Sequence, residues 1–261
     1  MGPPPSVPPR RSAPVILAAI LFAVLAAPAH GQGGFQWPDR SENLQSLPAD
    51  FPGDRLRAVM TGFTRALGVR CSHCHVGEEG QPLSEYDFAS DDNANKIRSR
   101  VMLEMLGSIN EYLDEIEPSG PERVNMWCTT CHAGRARPQT LAEALNEARS
   151  EGGPDAAMAR FVELRERYFA AAAYDFTARG VAGVAVGWAE EGALPAARLL
   201  AQRNLSDWPE FAAAHQGMAQ VLLASGDREG AISHLEHAVE LDPESAALRR
   251  ALERTRAGGD S

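Results

Sequence analysis

The chain has 261 residues, a formal net charge of −10 and only four cysteines. Such an acidic chain lacks the basic surface that nucleic-acid binding requires, which excludes that class of function, whereas a basic protein partner suits the charge. Strand-like alternation is scarce, and apolar residues recur at three- and four-residue spacing. We therefore predict an all-α protein, with a small domain over residues 40–140 and helical hairpins over residues 141–261.

The first 31 residues have the layout of a secretory signal peptide. Arg10 and Arg11 precede an apolar run over residues 15–27, and Ala-Pro-Ala at 27–29 offers a cleavage site between small residues. The apolar run is short for a membrane span, although an uncleaved membrane anchor is the alternative interpretation. We predict a signal peptide over residues 1–31 and export to the periplasm.

A first helix is predicted over residues 54–67, ending at Gly68, which is a favourable C-cap residue. One face of this helix is apolar and consists of Leu56, Met60, Phe63 and Leu67. The chain then reaches Cys71-Ser-His-Cys74-His75, which reads C-x-x-C-H, the signature of c-type haem attachment. In this chemistry each cysteine thiol adds across one haem vinyl group, and the following histidine reaches the iron.

A second copy of the signature, Cys128-Thr-Thr-Cys131-His132, accounts for the two remaining cysteines. Two copies with no cysteine left over predict two covalently bound c-type haems, with His75 and His132 as the proximal iron ligands. A four-cysteine zinc site is the main alternative, but such a site does not require a histidine after each cysteine pair. Redox-active disulfides are a weaker alternative, because no strand–turn–helix pattern surrounds either motif.

Met60 is the candidate sixth ligand of the first haem iron. It lies eleven residues before Cys71, so the helix that carries it can fold back over the opposite haem face. A plain core role suits the same spacing, since methionine fills irregular gaps well.

A second long helix is predicted over residues 93–116, with an N-cap within residues 90–93 and prolines at 118–121 to end it. Its apolar face is wide, so we expect the helix to be well buried, between the two haems. It carries Met102 and Met105, the candidate sixth ligands of the second iron, and position alone does not choose between them.

Several other side chains lie close to the two motifs. Trp127 is expected to pack on the second haem. Arg70, Arg135 and Arg137 are either partners of the haem propionates or solvated arginines beside a loop.

The C-terminal region repeats with a period of 34 residues, which is the length of a tetratricopeptide repeat. Gly192 matches Gly226, and Ala197 matches Ala231 at this spacing. A helix over residues 246–256 is predicted to cap the stack. A hairpin near residues 155–168 looks like a degenerate repeat, and the repeats are expected to stack on it, because two repeats alone cannot bury a continuous core.

These repeats are interpreted as a surface that docks a protein partner such as a membrane complex, with a purely structural cap as the alternative. Three histidines lie in the repeats, and two of them, His234 and His237, are spaced i, i+3 on one predicted helix. That spacing can suit a metal, but exposed repeat histidines are the simpler interpretation.

The haem region resembles the photosynthetic reaction-centre cytochrome c subunit family. The resemblance rests on Asn43-Leu-Gln, the segment from Phe63 to His75, Phe88-Ala-Ser-Asp91, Met102-Leu-Glu-Met105, Ile109-Asn110, and Cys128 to His132 with Gly134 and Pro138. In that family each haem segment is a helix with a methionine ligand, a turn and C-x-x-C-H. The resemblance therefore implies Met60 and Met102, rather than Met105, as the sixth ligands.

The chain also departs from the family pattern. Photosynthetic members bind four haems in two such pairs, whereas this chain has one pair and an added C-terminal region, so it resembles a half-length relative. Service to a photosynthetic or respiratory complex is compatible with the resemblance but is not established by it.

The function predicted from these features is that of a periplasmic dihaem electron carrier rather than an enzyme. Histidine and methionine axial ligands fill both axial positions of the iron, and this leaves no open site for a substrate. The alternatives are a dihaem peroxidase-like enzyme, in which one iron lacks a sixth ligand, and a haem-based sensor or scaffold.

Overall fold

The computed structural model describes residues 35–116 and 124–258. The chain divides into two units between Gln36 and Trp37, and all the helices named below lie in the second unit, Trp37–Ser261. The predicted signal peptide over residues 1–31 and the predicted helix break at 118–121 lie outside the described residues.

The predicted all-α class is confirmed for the described residues, which form helices, short 3₁₀ turns and one isolated antiparallel bridge between Val76 and Asp87. The helices are α1 (Gly53–Leu67), α2 (Ala94–Asp114), α3 (Cys128–His132), α4 (Leu141–Tyr168), α5 (Ala178–Glu190), α6 (Leu194–Asp207), α7 (Ala212–Ala224), α8 (Arg228–Leu241) and α9 (Ala246–Ala257). The 3₁₀ turns are Cys71–His73, Leu83–Glu85 and Phe169–Ala171.

Helix α1 begins one residue before its predicted start and ends where predicted. Gly68 terminates it in the left-handed conformation, with φ of 65°, which an L-residue adopts only at a cost. Leu56 and Ala66 are its buried residues. Three residues, 68–70, separate the end of the helix from the first cysteine motif.

Helix α2 is confirmed within two residues of its predicted bounds, and Asn93 caps it by accepting a hydrogen bond from the Asn95 amide at 2.9 Å. Protein side chains alone cover little of it, and its expected burial between two haems stays a prediction. Val101 and Tyr112 are 60% and 70% exposed, and Lys96 is its one buried residue. Side-chain amides at its two ends anchor this helix.

The 34-residue period is confirmed as a helical repeat. Helices α5, α7 and α9 begin 34 residues apart, as do α6 and α8. Gly192 and Gly226 occupy the same turn position with φ of 80° and 81°. Ala197 and Ala231, one period apart, are both fully buried, as close helix packing requires.

The predicted hairpin near residues 155–168 is wrong in extent. Residues 155–168 form only the second limb of α4, and the first limb occupies residues 141–151. Gly152 and Gly153 leave helical geometry between the limbs, because glycine tolerates the positive φ of 74° at Gly153 and Pro154 cannot continue the helix. The degenerate element therefore consists of both limbs.

One hydrophobic core runs from Leu141 in α4 to Leu252 in α9. The first limb of α4 joins it through the Trp188 indole, which donates a hydrogen bond to Asn146 Oδ1 at 2.5 Å. The second limb joins it through Phe161, which is 1% exposed. The repeats thus stack on α4, as predicted, and the core becomes continuous.

Candidate haem-binding sites

The first cysteine motif begins as a 3₁₀ turn that closes on itself. The His75 amide donates to the Cys71 carbonyl at 3.0 Å, and the Cys74 amide donates to the same carbonyl at 3.2 Å. The turn therefore holds the two cysteines and His75 in one compact loop. Burial, followed by the neighbouring Cys71, raises the pKa of the Cys74 thiol.

His75 lies in an aromatic environment. Its ring meets the ring of Phe88 edge-on at a centroid distance of 4.9 Å, and Phe88 stacks on Tyr86. Burial lowers the pKa of His75, the Lys96 charge lowers it further, and a backbone hydrogen bond with Phe88 opposes both. A lowered pKa favours the neutral imidazole, which is the form that ligates iron.

Helix α2 starts directly against this motif. The Asn93 side chain donates to the Ser72 carbonyl at 3.3 Å, and the Asn95 side chain donates to the His73 carbonyl at 3.0 Å. Two side-chain amides that are two residues apart therefore tie the start of the helix to the loop between the two cysteines.

A polar network surrounds Asp91 just before α2. The buried Lys96 ammonium donates to the carbonyls of residues 88, 89 and 90 at 2.7–2.9 Å and lies 3.2 Å from Asp91. Arg100 donates to both Asp91 oxygens at 2.7 and 2.9 Å, and Asn43 donates to Asp91 at 2.8 Å. The Arg100 hydrogen bonds, more than those of Lys96, hold the pKa of Asp91 well below its usual range. Residues that carry the family resemblance thus have a structural role here.

In the second motif, α3 carries Cys128, Cys131 and His132. His132 is buried, and its Nδ1 lies 2.8 Å from the Arg135 carbonyl oxygen. A carbonyl can only accept, so Nδ1 carries the proton and the lone pair resides on Nε2. A haem-ligating histidine needs a free Nε2 for the iron and a hydrogen-bond acceptor for its Nδ1–H, and His132 has both.

The other end of α2 holds the segment that leads into this motif. The Asn110 side chain donates to the Met126 carbonyl at 3.0 Å and accepts from the Met126 amide at 2.7 Å. Asn95 and Asn110 are about 22 Å apart along the helix at 1.5 Å per residue. Helix α2 therefore spans both motifs, with Met102 and Met105 between its two anchor points.

The two motifs also meet through the backbone at the end of α1. The Gly134 amide, just behind the second motif, donates to the Ala66 carbonyl at 2.8 Å. A Cβ added at Gly68 would lie 2.1 Å from the Gly134 oxygen. Only glycine at position 68 allows the Gly134 backbone to come this close. This close approach holds the two motifs next to each other.

These residues fit covalently bound haem. The central part of α2 exposes apolar side chains and both candidate thioether ligands, at Ile97, Val101, Met102 and Met105. In the described ranges no group of three or more His, Cys, Asp or Glu side chains is arranged to hold a metal ion.

The remaining sequence-predicted residues are placed as follows. Met60 is half-buried on α1, and Trp127 is 67% exposed. Arg70 pairs with Glu79 at 2.8 Å, and Arg137 pairs with Glu147 at 2.9 Å, so both guanidinium groups already have carboxylate partners. Arg135 instead donates to three backbone carbonyls, those of Cys131, His132 and Gln139.

Asn110 and the Arg135 carbonyl are functional groups that sequence reasoning missed. Both act through hydrogen bonds to the segment around the second motif. Ile109-Asn110 was part of the resemblance, but no local pattern assigned its partner. The Arg135 carbonyl has no side-chain signal at all.

The repeats contain a cleft of about 270 Å³ between α5 and α7, lined by Arg179, Gly183, Gly187, Gln216, Gly217 and Gln220.

Elsewhere in the repeats, His215 Nδ1 lies 3.1 Å from His234 Nδ1. Burial, followed by the two neighbouring histidines, lowers the pKa of His234. His234 is half-buried and His237 is exposed.

None of the described helices is long and apolar enough to cross a bilayer.

A comparison with curated proteins gave no significant match. The family model for the tetratricopeptide repeat matches residues 212–254, which span α7, α8 and most of α9. The family model for the photosynthetic reaction centre cytochrome c subunit matches residues 27–175, more than half of the chain. The chain therefore belongs to the photosynthetic reaction centre cytochrome c subunit family, with tetratricopeptide repeats at its C-terminal end.

Proposed function

We propose that this protein is an exported dihaem electron carrier that docks its redox partners through the tetratricopeptide region. Family membership implies an electron-transfer cytochrome with covalently bound haem. The finer proposal assigns one haem to each C-x-x-C-H motif. The proposed thioether cysteines are Cys71 and Cys74 for one haem and Cys128 and Cys131 for the other. The proposed iron ligands are His75 with Met60 and His132 with Met102.

The observation that carries this proposal is the way α2 connects the two motifs. Its first turn is bonded to the loop between Cys71 and Cys74, and its C-terminal part is bonded to the residue two positions before Cys128. Together with the Gly134–Ala66 backbone bond, this makes one scaffold for two haems. Two neighbouring redox centres on one scaffold support exchange of electrons between themselves and with a partner.

Bound haem supplies Fe(III)/Fe(II) cycling, and the chain supplies ligands and surroundings. Arg135 holds the imidazole of His132 in the tautomer that leaves Nε2 free. Methionine as the sixth ligand raises the reduction potential and fills the last coordination position. A filled position favours electron transfer over binding of a substrate at the iron.

Export supports the same chemistry, because c-type haem is attached outside the cytoplasm. Partner docking by the repeats is proposed because repeats of this kind present extended binding surfaces. The cleft between α5 and α7 places Arg179 near Gln216 and Gln220, all polar groups that a protein partner can engage.

Mass spectrometry of the exported, full-length protein tests the cofactor assignment. We expect the added mass of two haems, one on the peptide that contains Cys71 and one on the peptide that contains Cys128. Free thiols, a zinc ion or a single haem would contradict the dihaem proposal.

Electron paramagnetic resonance and absorption spectra of the ferric protein test the carrier assignment. The wild type should show two low-spin haems that do not bind cyanide readily. Met102→Ala should convert one haem to high spin, while the matched variant Met105→Ala should leave both low-spin. A high-spin, cyanide-binding haem in the wild type would instead favour a peroxidase-like enzyme.

A further inference from the structure

The Arg135 side chain connects the second cysteine motif to the repeat region. Its Nε donates to the His132 carbonyl at 3.0 Å, and one terminal nitrogen donates to the Cys131 carbonyl at 3.4 Å. The other terminal nitrogen donates to the Gln139 carbonyl, immediately before the cap of α4. The face of the same guanidinium lies 4.5 Å from the ring centroid of Tyr174.

Tyr174 lies between α4 and α5 and packs with the repeat region. Its ring meets Tyr168 at 5.5 Å and Phe176 at 5.9 Å, both in edge-to-face geometry. It also packs against the core that fills α4 to α9. A ring held on several sides provides a fixed platform for a planar cation.

The fixed guanidinium determines where the Arg135 backbone lies. The Arg135 amide donates to the His132 carbonyl at 2.9 Å, while its own carbonyl accepts from His132 Nδ1 at 2.8 Å. One residue therefore caps the end of α3 and orients the imidazole. A bond to Nδ1 raises the basicity of a ligating histidine, and its weakening lowers that basicity.

We propose that Arg135 and Tyr174 are positioning residues for the second haem iron, so that the repeat region sets the strength of the His132 Nδ1–H bond and thereby the reduction potential of that haem alone. This inference rests on the proposed function. Among the described residues, the hydrogen bonds of the first motif's loop instead lead to α2.

Substitutions that leave the net charge unchanged distinguish a positioning role from a purely electrostatic one. Arg135→Lys keeps the positive charge but loses the planar fork that binds three carbonyls and stacks on Tyr174. Tyr174→Leu removes the ring, whereas Tyr174→Phe retains it. Arg137→Lys is the matched control, because Arg137 pairs with an exposed carboxylate on Glu147.

The first measurement is a redox titration monitored by electron paramagnetic resonance, in which each low-spin ferric haem gives its own signal. A less basic imidazole stabilises Fe(III) less, so the potential should rise. We expect Arg135→Lys and Tyr174→Leu to shift the reduction equilibrium of one haem at least threefold toward Fe(II), where tenfold corresponds to about 59 mV. The other haem should stay unchanged, and Tyr174→Phe and Arg137→Lys should match the wild type.

The second measurement is backbone hydrogen exchange over residues 128–139, which reads the same link whether or not haem is bound. Exchange should accelerate about tenfold in Arg135→Lys and Tyr174→Leu and remain unchanged in Arg137→Lys. If Tyr174→Leu does not fold, Arg135→Lys carries both measurements.

The proposal is overturned if neither variant moves a potential, if both potentials move together, or if Tyr174→Phe behaves like Tyr174→Leu. A wild-type protein without haem would refute the proposed function instead. In that case unchanged exchange over residues 128–139 would separately refute the link between Arg135 and Tyr174.

Discussion

Gly68 is the point at which the end of α1 meets the turn behind the second cysteine motif, and one added methyl group should separate them. In Gly68→Ala the new Cβ would lie 2.1 Å from the Gly134 oxygen, a backbone atom that cannot swing aside. The Gly134 backbone must shift, and its 2.8 Å hydrogen bond to the Ala66 carbonyl is then lost. The substitution therefore disturbs the contact between the two motifs directly.

The size of the effect follows from two contributions. An L-residue in the left-handed conformation costs about 1–2 kcal/mol. Loss of the hydrogen bond costs about 1 kcal/mol more, so the free energy of unfolding should fall by about 2–3 kcal/mol in total. For a chain of this size, that corresponds to a melting temperature lower by about 4–12 °C.

Two alanine variants in the same region isolate these contributions. Gly80→Ala has a φ of 90° but open space around the new Cβ, so it should show the conformational cost alone. Gly62→Ala lies within α1 with nothing nearby, and it should stabilise the protein by about 0.5–1 kcal/mol. The assay is denaturant unfolding followed by circular dichroism. If Gly68→Ala is no less stable than Gly80→Ala, the close approach to Gly134 does not hold the motifs together.

Three further changes test other parts of the structure. Phe161→Ala, at a side chain that is 1% exposed, should reduce the free energy of unfolding by about 3–5 kcal/mol because α4 belongs to the repeat core; a loss below 1 kcal/mol in denaturant unfolding would separate α4 from that core. Asp91→Asn should flatten the acid sensitivity of the protein. The folded-state pKa of Asp91 is lowered, so its contribution is complete above the unfolded pKa of about 3.9 and is lost as pH falls below it; urea midpoints between neutral pH and pH 3 measure this, and parallel curves for wild type and variant would contradict it. Asn110→Ala removes both bonds to Met126 and should lower haem loading at Cys128 but not at Cys71, as measured by peptide mass spectrometry; equal loading at both motifs would show that this anchor is dispensable.

The elements that the sequence predicts well are those with a local signal. Helix α1 combines an apolar face with Gly68, and the repeats combine a 34-residue period with glycine at each turn, so both agree with the structure closely. The N-cap of α2 is predictable for the same reason, because Asn93 bonds to an amide two residues away. Local hydrogen bonds and periodicity leave their pattern in consecutive residues.

The contacts that the sequence does not predict are long-range and polar. The Asn110 bonds to Met126 join residues 16 positions apart, and the stacking of Arg135 on Tyr174 crosses from one region to another. The exposure of α2 is a different case. The wide apolar face of α2 predicts the helical periodicity that the structure shows, whereas the expected burial between two haems stays a prediction.

The same reasoning explains the error in α4. Gly152-Gly153-Pro154 is an obvious helix breaker, but a sequence pattern does not say whether a break separates two elements or bends one. In the structure both limbs, residues 141–151 and 155–168, contribute to the core of the repeats. The start of α5 lies 37 residues after the start of α4, so the degenerate repeat is longer than its 34-residue neighbours.

The uneven placement of buried apolar side chains has a consequence for biogenesis. In the part of the chain that the structure describes, the continuous apolar interior lies between Leu141 and Leu252, whereas the stretch with the cysteines buries little of itself. On the proposed function, we expect the newly exported apoprotein to fold first in its C-terminal half, so that the four thiols stay accessible for haem attachment. Attachment would then take place on a chain that already has a stably folded region.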